Sequence, residues 1–177
     1  MIKLAEKIID EKDVSSLVEW LNSGDRYTKG EQTIAFEQEW SDWLGGKHSI
    51  FVNSGSSANL LVVLALLYSG RLRNKKVIVP AISWVTTVSP AIQLGMTPIL
   101  CDADKDDLGL DIEHFEKLCE KHRPALAILV HVLGHSNKME KILQISKKYD
   151  ILLIEDTCEA YGSEIGGAIL PMIASGG

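Results

Sequence analysis

Short, continuous aliphatic runs recur from residue 49 onward, and they constrain the fold of this chain more than any other feature. Stretches long enough for helices separate them. Strands that are buried on both faces are apolar at nearly every position, and alternation with helices is typical of parallel sheets. The pattern therefore predicts an α/β fold with a mostly parallel sheet that is covered by helices on both faces. The predicted strands are Ser49–Asn53, Lys76–Pro80, Thr97–Cys101, Ala125–Val130 and the run that begins at Ile151.

Before residue 49 the sequence shows helical periodicity instead. An apolar stripe at the spacing i, i+3, i+4 and i+7 follows Asp13, which we expect to cap the first helix. A second stripe contains Trp40 and Trp43 and ends at Gly45–Gly46. We therefore expect an N-terminal helical segment over residues 1–48, an α/β domain over residues 49–163 and an unassigned tail over residues 164–177.

Two later helices carry distinct signals. The stretch Asn59–Tyr68 is apolar on nearly every side, which predicts a helix that is packed on both faces. Asn137, followed by Glu140 three residues later, matches a variant of the capping box. We expect Asn137 to begin a helix.

Charge and cysteine content exclude several classes of protein. A formal net charge of −6 over 177 residues argues against general affinity for nucleic acid or anionic membranes. The N-terminus carries no signal-peptide pattern, and the longest apolar run, Leu60–Tyr68, is far shorter than the roughly 20 residues that span a bilayer. The three cysteines are an odd number without a Cys-x-x-Cys motif, which favours reduced thiols in a cytoplasmic protein.

The loops that follow the predicted strands carry the polar residues of interest. Parallel strands place their carboxyl ends at one edge of a sheet, where ligands bind in open α/β folds. The last predicted strand ends there in two acids, Glu155 and Asp156. Such acids either face solvent or face a ligand. Five loops are expected to converge at this edge: 54–57, 81–87, 102–107, 131–136 and 156–163.

The segment Ser54-Gly55-Ser56-Ser57 lies between a predicted strand and a helix. The backbone N–H groups of Ser56 and Ser57, their hydroxyls and the helix dipole are suited to binding a phosphate. The alternative is a serine-capped core helix. The segment is neither a Walker loop nor a dinucleotide Gly-x-Gly-x-x-Gly motif.

Two further positions suit a planar, protonated ring. Trp84 follows a strand and either forms a flat wall against such a ring or closes the top of the core. Asp156 can accept a hydrogen bond from a protonated ring nitrogen, and Glu159 can reach a second polar edge. His131 and His135 are four residues apart outside a helix, which argues against a metal site. Together the candidates describe a site for a phosphorylated, protonatable heterocycle, and pyridoxal 5′-phosphate (PLP) fits each of them.

At these residues the chain resembles the N-terminal part of DegT/StrS-type sugar aminotransferases, which have the type I aspartate-aminotransferase fold. The resemblance extends to about Ser163. EDTCE and FVNSGSSAN are particularly similar to the branch that acts on nucleotide-linked 4-keto-6-deoxyhexoses, including the 3-dehydrases. The matching stretches are RYTKG (Arg26–Gly30), FVNSGSSAN (Phe51–Asn59), VPAISWVTT (Val79–Thr87) and IEDTCEAYGS (Ile154–Ser163).

The resemblance implies a role for each candidate residue. Ser56 and Ser57 would bind the cofactor phosphate, Trp84 would stack on the ring, and Asp156 would hold the pyridinium nitrogen. Glu159 would lie near the ring hydroxyl. Separately, hydrogen-bond donors come together in the loop 22–30, where they either bind a phosphate or sugar of the substrate or face solvent: Arg26, Tyr27, Thr28 and Lys29. The implied activity is amino transfer from glutamate to a nucleotide-linked keto-sugar, or 3-dehydration, in deoxysugar and lipopolysaccharide biosynthesis, by a cytoplasmic homodimer.

The chain departs from this family at the residue that binds the cofactor covalently. The last lysine is Lys148 and the last histidine is His135, and both precede Asp156. We therefore expect an inactive fragment that lacks the Schiff-base lysine, or the histidine that replaces it in the dehydratase branch, and the C-terminal small domain. The alternative is a non-catalytic α/β module that pairs with a full-length homologue.

Overall fold

A computed structural model describes residues 8–24, 26–165 and 168–169. The chain divides into two units, Met1–Phe51 and Val52–Gly177, and each is described by itself. Most of the expected tail lies outside the described residues. The helices are α1 (Glu11–Asn22), α2 (Glu31–Leu44), α3 (Gly55–Tyr68), α4 (Val85–Gln93), α5 (Ile112–His122) and α6 (Met139–Tyr149), and the strands are β1 (Lys76–Pro80), β2 (Thr97–Cys101), β3 (Leu126–Val130), β4 (Leu152–Asp156), β5 (Glu164–Ile165) and β6 (Ala168–Ile169).

The first unit contains α1 and α2. Asp10, and not Asp13, caps α1, because the Asp10 carboxylate accepts the N–H groups of Lys12 and Asp13. Asp13 completes the capping box by accepting the N–H of Asp10 at 2.9 Å. Gly45 ends α2 in the left-handed conformation at φ 68°. The apolar stripe of α1 is exposed and consists of Val14, Leu17, Val18 and Leu21.

The predicted strand Ser49–Asn53 is wrong, since these residues form no strand within the described parts of the chain. The N–H of Phe51 is instead donated to the Glu37 carboxylate at 2.9 Å. The Phe51 ring packs against Phe36 with the ring centroids 5.5 Å apart. An isolated extended segment is not a strand, because a strand is stabilised by hydrogen bonds to its neighbour.

The second unit is built on a four-stranded parallel sheet in the order β2-β1-β3-β4. This arrangement confirms the predicted α/β class, with four strands in the sheet where five were expected. In the β3–β4 pair, Leu129 lies opposite Glu155 and Val130 lies opposite Asp156. The carboxyl ends of all four strands therefore lie at one edge.

Helices cover both faces of the sheet, as predicted. On one face Val77, Ile128 and Ile154 pack with residues of α3 and α4. On the other face Ile78, Leu129 and Leu153 pack with residues of α5 and α6. The expectation that α3 is packed on both sides is not met, because Leu61 and Tyr68 are exposed.

Arg73 joins separate chain segments by hydrogen bonds at the amino-terminal edge of the sheet. Its guanidinium donates to the carbonyl oxygens of Pro124, Tyr149 and Asp150. These carbonyls follow α5 and end α6, so they have no partner within their own helices. Both helices end in a left-handed residue, Arg123 at φ 50° and Asp150 at φ 55°.

We expect the substitution Arg73→Met to lower the free energy of unfolding by about 1–2 kcal/mol, because methionine keeps the aliphatic stem and removes every donor. The measurement is urea unfolding followed by circular dichroism. Lys75→Met is the control, since Lys75 is an exposed cation two residues away and should change stability by less than about 0.5 kcal/mol. Equal effects of the two substitutions would contradict the role assigned to Arg73.

Candidate functional site

Four of the five expected loops come together at the carboxyl edge of the sheet, and the 102–107 loop does not join them. The first two turns of α3 contact both the 81–87 loop and Asp156, through the side chain of Asn59. The 131–136 loop is joined to the 156–163 loop by hydrogen bonds. The 102–107 loop is bound to Lys138 instead, through Asp104 and Asp107.

Asp156 lies at the centre of this edge and is 7% exposed. Its Oδ2 accepts a hydrogen bond from the Asn59 side-chain amide at 3.0 Å, and its Oδ1 accepts the N–H of Cys158 at 3.1 Å. Asn59 is 2% exposed, and it also donates to the carbonyl of Thr86 at 3.4 Å. Both carboxylate oxygens thus act as acceptors, which is the pattern of an ionised aspartate.

Glu155 points to the opposite face of the sheet, because successive side chains alternate across a strand. Its Oε2 lies 3.1 Å from Nε2 of His131, which is fully buried. The N–H of Asn137 is donated to Nδ1 of the same ring at 3.2 Å. Since Nδ1 accepts, the proton is on Nε2, and a neutral His131 donates to the Glu155 carboxylate.

Asn137 does not cap a helix as expected, since Lys138 is the N-cap of α6. Its buried side chain instead joins two segments. The amide donates to the carbonyl of Val130 at 2.8 Å and accepts the N–H of Leu110 at 2.8 Å. Asn137 therefore connects the end of β3 to the segment that precedes α5.

The Ser54–Ser57 segment forms the N-terminus of α3, and the N–H of Ser57 already has a partner there. Ser54 caps the helix by accepting this N–H at 3.2 Å, and the Ser57 hydroxyl donates to Asn53 Oδ1 at 2.7 Å. Ser56 is exposed, and neither its hydroxyl nor its N–H has a partner among the residues described. The free donors at this helix end are therefore centred on Ser56.

Gly55 allows the 54–57 loop to approach the 156–163 loop closely. A Cβ atom at this position would lie 3.2 Å from Sγ of Cys158. Burial and, after it, a hydrogen bond to Asp156 raise the pKa of the Cys158 thiol to about 12. Burial likewise raises the pKa of Cys101 and Cys119 to about 12, and all three cysteines are free, as expected. None of the thiols is activated as a nucleophile.

The structure decides between the two alternatives for Trp84, which were a flat wall against a planar ring and a side chain that closes the top of the core. The indole is 77% exposed, so it does not close the top of the core. Trp84 is the N-cap residue of α4, and its carbonyl accepts the N–H of Thr87 at 3.0 Å. An exposed aromatic face at the sheet edge is compatible with the flat wall predicted from the sequence.

Glu159 is exposed and is bound to the neighbouring loop. Its Oε2 accepts the N–H of Leu133 at 2.7 Å. The second carboxylate oxygen has no hydrogen bond to any residue in the described ranges.

The candidate substrate residues lie in the first unit, and each has a partner there. The Tyr27 hydroxyl donates to the carbonyl of Leu21 at 2.6 Å, and Thr28 Oγ1 accepts from Arg26 at 2.7 Å. Lys29 pairs with Glu37 at 2.8 Å. This hydrogen bond, together with the N–H of Phe51, lowers the pKa of Glu37. The loop is therefore held by its own contacts.

The sequence analysis did not identify Asn59 as a site residue, and it considered His131 only as a possible metal ligand. The available signal for Asn59 was its position as the first residue of an otherwise apolar stretch, since a buried amide needs a buried partner. His131 gave no comparable signal, because its partner Glu155 is 24 residues away in the sequence.

Within residues 8–24, 26–165 and 168–169, no group of three or more His, Cys, Asp or Glu residues is arranged to hold a metal ion. In the same ranges, none of the helices is both long and apolar enough to cross a membrane.

Comparison with known proteins places this geometry in context. Residues 7–175 match the DegT/DnrJ/EryC1/StrS aminotransferase family. The match continues beyond Ser163, where the resemblance was expected to end.

Two curated relatives illustrate the range of the family. A GDP-4-keto-6-deoxy-D-mannose 3-dehydratase of Yersinia pseudotuberculosis is 35% identical over 168 residues, which are 93% of this chain and 42% of the relative. A UDP-4-amino-4-deoxy-L-arabinose–oxoglutarate aminotransferase of Shewanella sediminis is 32% identical, and the match covers 94% of this chain and 42% of the relative. The chain thus spans about two-fifths of the length of these relatives, which agrees with the expected fragment.

A solved structure shares the fold. The GDP-4-keto-6-deoxy-D-mannose 3-dehydratase of E. coli, solved with bound hydrated PLP, superimposes with a TM-score of 0.83 at 32% sequence identity. The alignment covers 93% of this chain and 43% of that chain.

Proposed function

Because the chain belongs to the DegT/DnrJ/EryC1/StrS aminotransferase family, we propose that it forms the PLP-binding part of a nucleotide-sugar aminotransferase or 3-dehydratase. The observation that carries the proposal is the buried Asp156 carboxylate, which Asn59 binds. It lies at the same edge of the sheet as the N-terminus of α3, where the donors of Ser56 are unpaired among the described residues. Bound PLP would supply an electron sink for bonds at the substrate carbon next to nitrogen.

The residues at this edge fit the cofactor. Asp156 would accept a hydrogen bond from the protonated ring nitrogen and would keep that nitrogen charged. Ser56 would donate its hydroxyl and N–H to the phosphate at the positive end of α3, and the Ser57 hydroxyl, which is bonded to Asn53 in the free chain, would be a further donor. Trp84 would stack on one face of the ring, and the family resemblance alone places Glu159 near the ring hydroxyl.

The finer parts of the function are supported by the family alone. We propose glutamate and a nucleotide-linked keto-sugar as the substrates of the intact enzyme, with Tyr27, Thr28 and Lys29 at the sugar nucleotide. A cytoplasmic homodimer is consistent with the reduced cysteines and with the exposed apolar stripe of α1. Within residues 1–177 we propose non-covalent contacts to PLP, through Ser56, Trp84 and Asp156.

We expect Asp156→Asn to weaken PLP binding at least about tenfold, because an amide cannot stabilise the pyridinium charge. The measurement is a titration of the purified chain with PLP, followed by the absorbance of the cofactor. Asp102→Asn is the matched control, since Asp102 is an exposed acid that follows the neighbouring strand β2. Inorganic phosphate should compete with PLP in the wild type.

Two outcomes would contradict this function, and a third would contradict non-covalent binding of PLP by this chain. The first is equal PLP affinity of the wild type and Asp156→Asn. The second is binding that phosphate does not affect. The third is a borohydride-trapped adduct on one specific residue, found by mass spectrometry, which would show covalent attachment in this chain.

A further inference from the structure

The turn Val132–Gly134, which begins two residues after the end of β3, contains a strained residue. Leu133 has φ 53° and ψ 27°, in the left-handed region that a residue with a Cβ atom seldom adopts. This conformation costs a non-glycine residue about 1 kcal/mol or more. The Leu133 side chain is 67% exposed, so burial of the leucine does not account for the conformation.

Contacts from the 156–163 loop hold the turn in place. Oε2 of Glu159 accepts the N–H of Leu133 at 2.7 Å, and the hydroxyl of Ser163 donates to the carbonyl of Gly134 at 3.3 Å. At the start of the turn, the N–H of His131 is donated to the carbonyl of Asp156 at 3.1 Å. The strained turn and the loop that carries Asp156 therefore form one connected unit.

We propose that Glu159 is a positioning residue, whose carboxylate holds the Val132–Gly134 turn and thereby orients the loop that carries Asp156. This proposal rests on the proposed function, because the group that Asp156 serves is the PLP ring. It differs from the role implied by the family resemblance, in which Glu159 acts directly at the ring hydroxyl. The Glu159 carboxylate accepts the N–H of Leu133, and this hydrogen bond offsets the backbone strain of the turn. Removal of the carboxylate lets the turn relax.

The first test uses the 177-residue chain without ligand. We expect Glu159→Ala to speed hydrogen exchange at the Leu133 amide about fivefold, since a hydrogen bond of this kind contributes about 1 kcal/mol. Glu159→Gln keeps an acceptor oxygen and should exchange at nearly the wild-type rate. Unchanged exchange in Glu159→Ala would overturn the proposal.

The second test separates positioning from direct contact with the ring. We expect Glu159→Ala to raise the Kd for PLP about fivefold and the double variant Glu159→Ala/Leu133→Gly to recover most of that loss, because glycine adopts positive φ without strain. Glu159→Ala/Leu133→Ala is the matched control, since alanine keeps the strain, and it should not recover. Equal affinities of the two double variants would overturn the positioning role.

The two measurements also distinguish the proposals from each other. If the wild type does not bind PLP, the proposed function fails, and the effect on affinity fails with it. Hydrogen exchange at Leu133 still decides whether Glu159 holds the turn.

Discussion

Replacement of Asn59 by leucine is expected to lower the free energy of unfolding by about 2–3 kcal/mol and to weaken PLP binding. Leucine has the same number of side-chain heavy atoms and the same branching as asparagine, although its two methyl groups are larger than the amide oxygen and nitrogen. The substitution removes the donor at 3.0 Å from Oδ2 of Asp156, a carboxylate that is almost fully buried. A buried charged oxygen without a partner costs more than the net value of one hydrogen bond. Urea unfolding of the ligand-free chain measures the effect on stability.

A double-mutant cycle isolates this contact. Asn59→Leu/Asp156→Leu removes both polar partners, so it should be more stable than Asn59→Leu alone. That ordering is specific to an unsatisfied carboxylate, because ordinary core substitutions destabilise further when they are combined. A loss below about 0.5 kcal/mol in Asn59→Leu, or additive losses in the double variant, would show that the contact is not important in solution.

Gly109→Ala is expected to destabilise the chain by a similar amount, about 2–3 kcal/mol, although Gly109 does not have a positive φ. The reason is space. A Cβ atom would lie 2.5 Å from Oδ1 and 2.8 Å from Cγ of Asn137, and 3.0 Å from Oδ1 of Asp107. Asn137 is buried and bonded to Leu110 and Val130, so it cannot move without the loss of those bonds.

The effect of Gly109→Ala should also reach the sheet edge. Asn137 donates its N–H to His131, which in turn donates to Glu155 next to Asp156. We therefore expect the His131 ring resonances in the NMR spectrum to shift together with the loss of stability. Gly46→Ala is the control, because a Cβ atom there meets only the carbonyl of Ser41 at 4.0 Å. Comparable losses in the two variants would contradict the steric explanation.

The predictions that succeeded rest on patterns along the chain. Continuous aliphatic runs that alternate with helices can be buried only in a sheet covered on both faces, and the α/β class follows from them. The convergence of the loops follows from the same parallel arrangement. The predictions that failed concern residues whose hydrogen-bond partners lie elsewhere in the chain. Residues 49–53 resemble a strand in composition, but the N–H of Phe51 bonds to Glu37. Asn137 resembles a cap, but its amide is bonded to Val130 and Leu110.

The adjacent acids at the end of β4 show where reasoning from sequence reaches its limit. Two carboxylates after an aliphatic run were enough to place acids at the edge of a sheet. The folded chain was needed to assign them, because alternation along the strand sends Asp156 towards Asn59 of α3 and Glu155 towards His131. Both partners are distant in sequence, 97 and 24 residues away, and they come within hydrogen-bond distance only when the helices pack and the β3–β4 register is set.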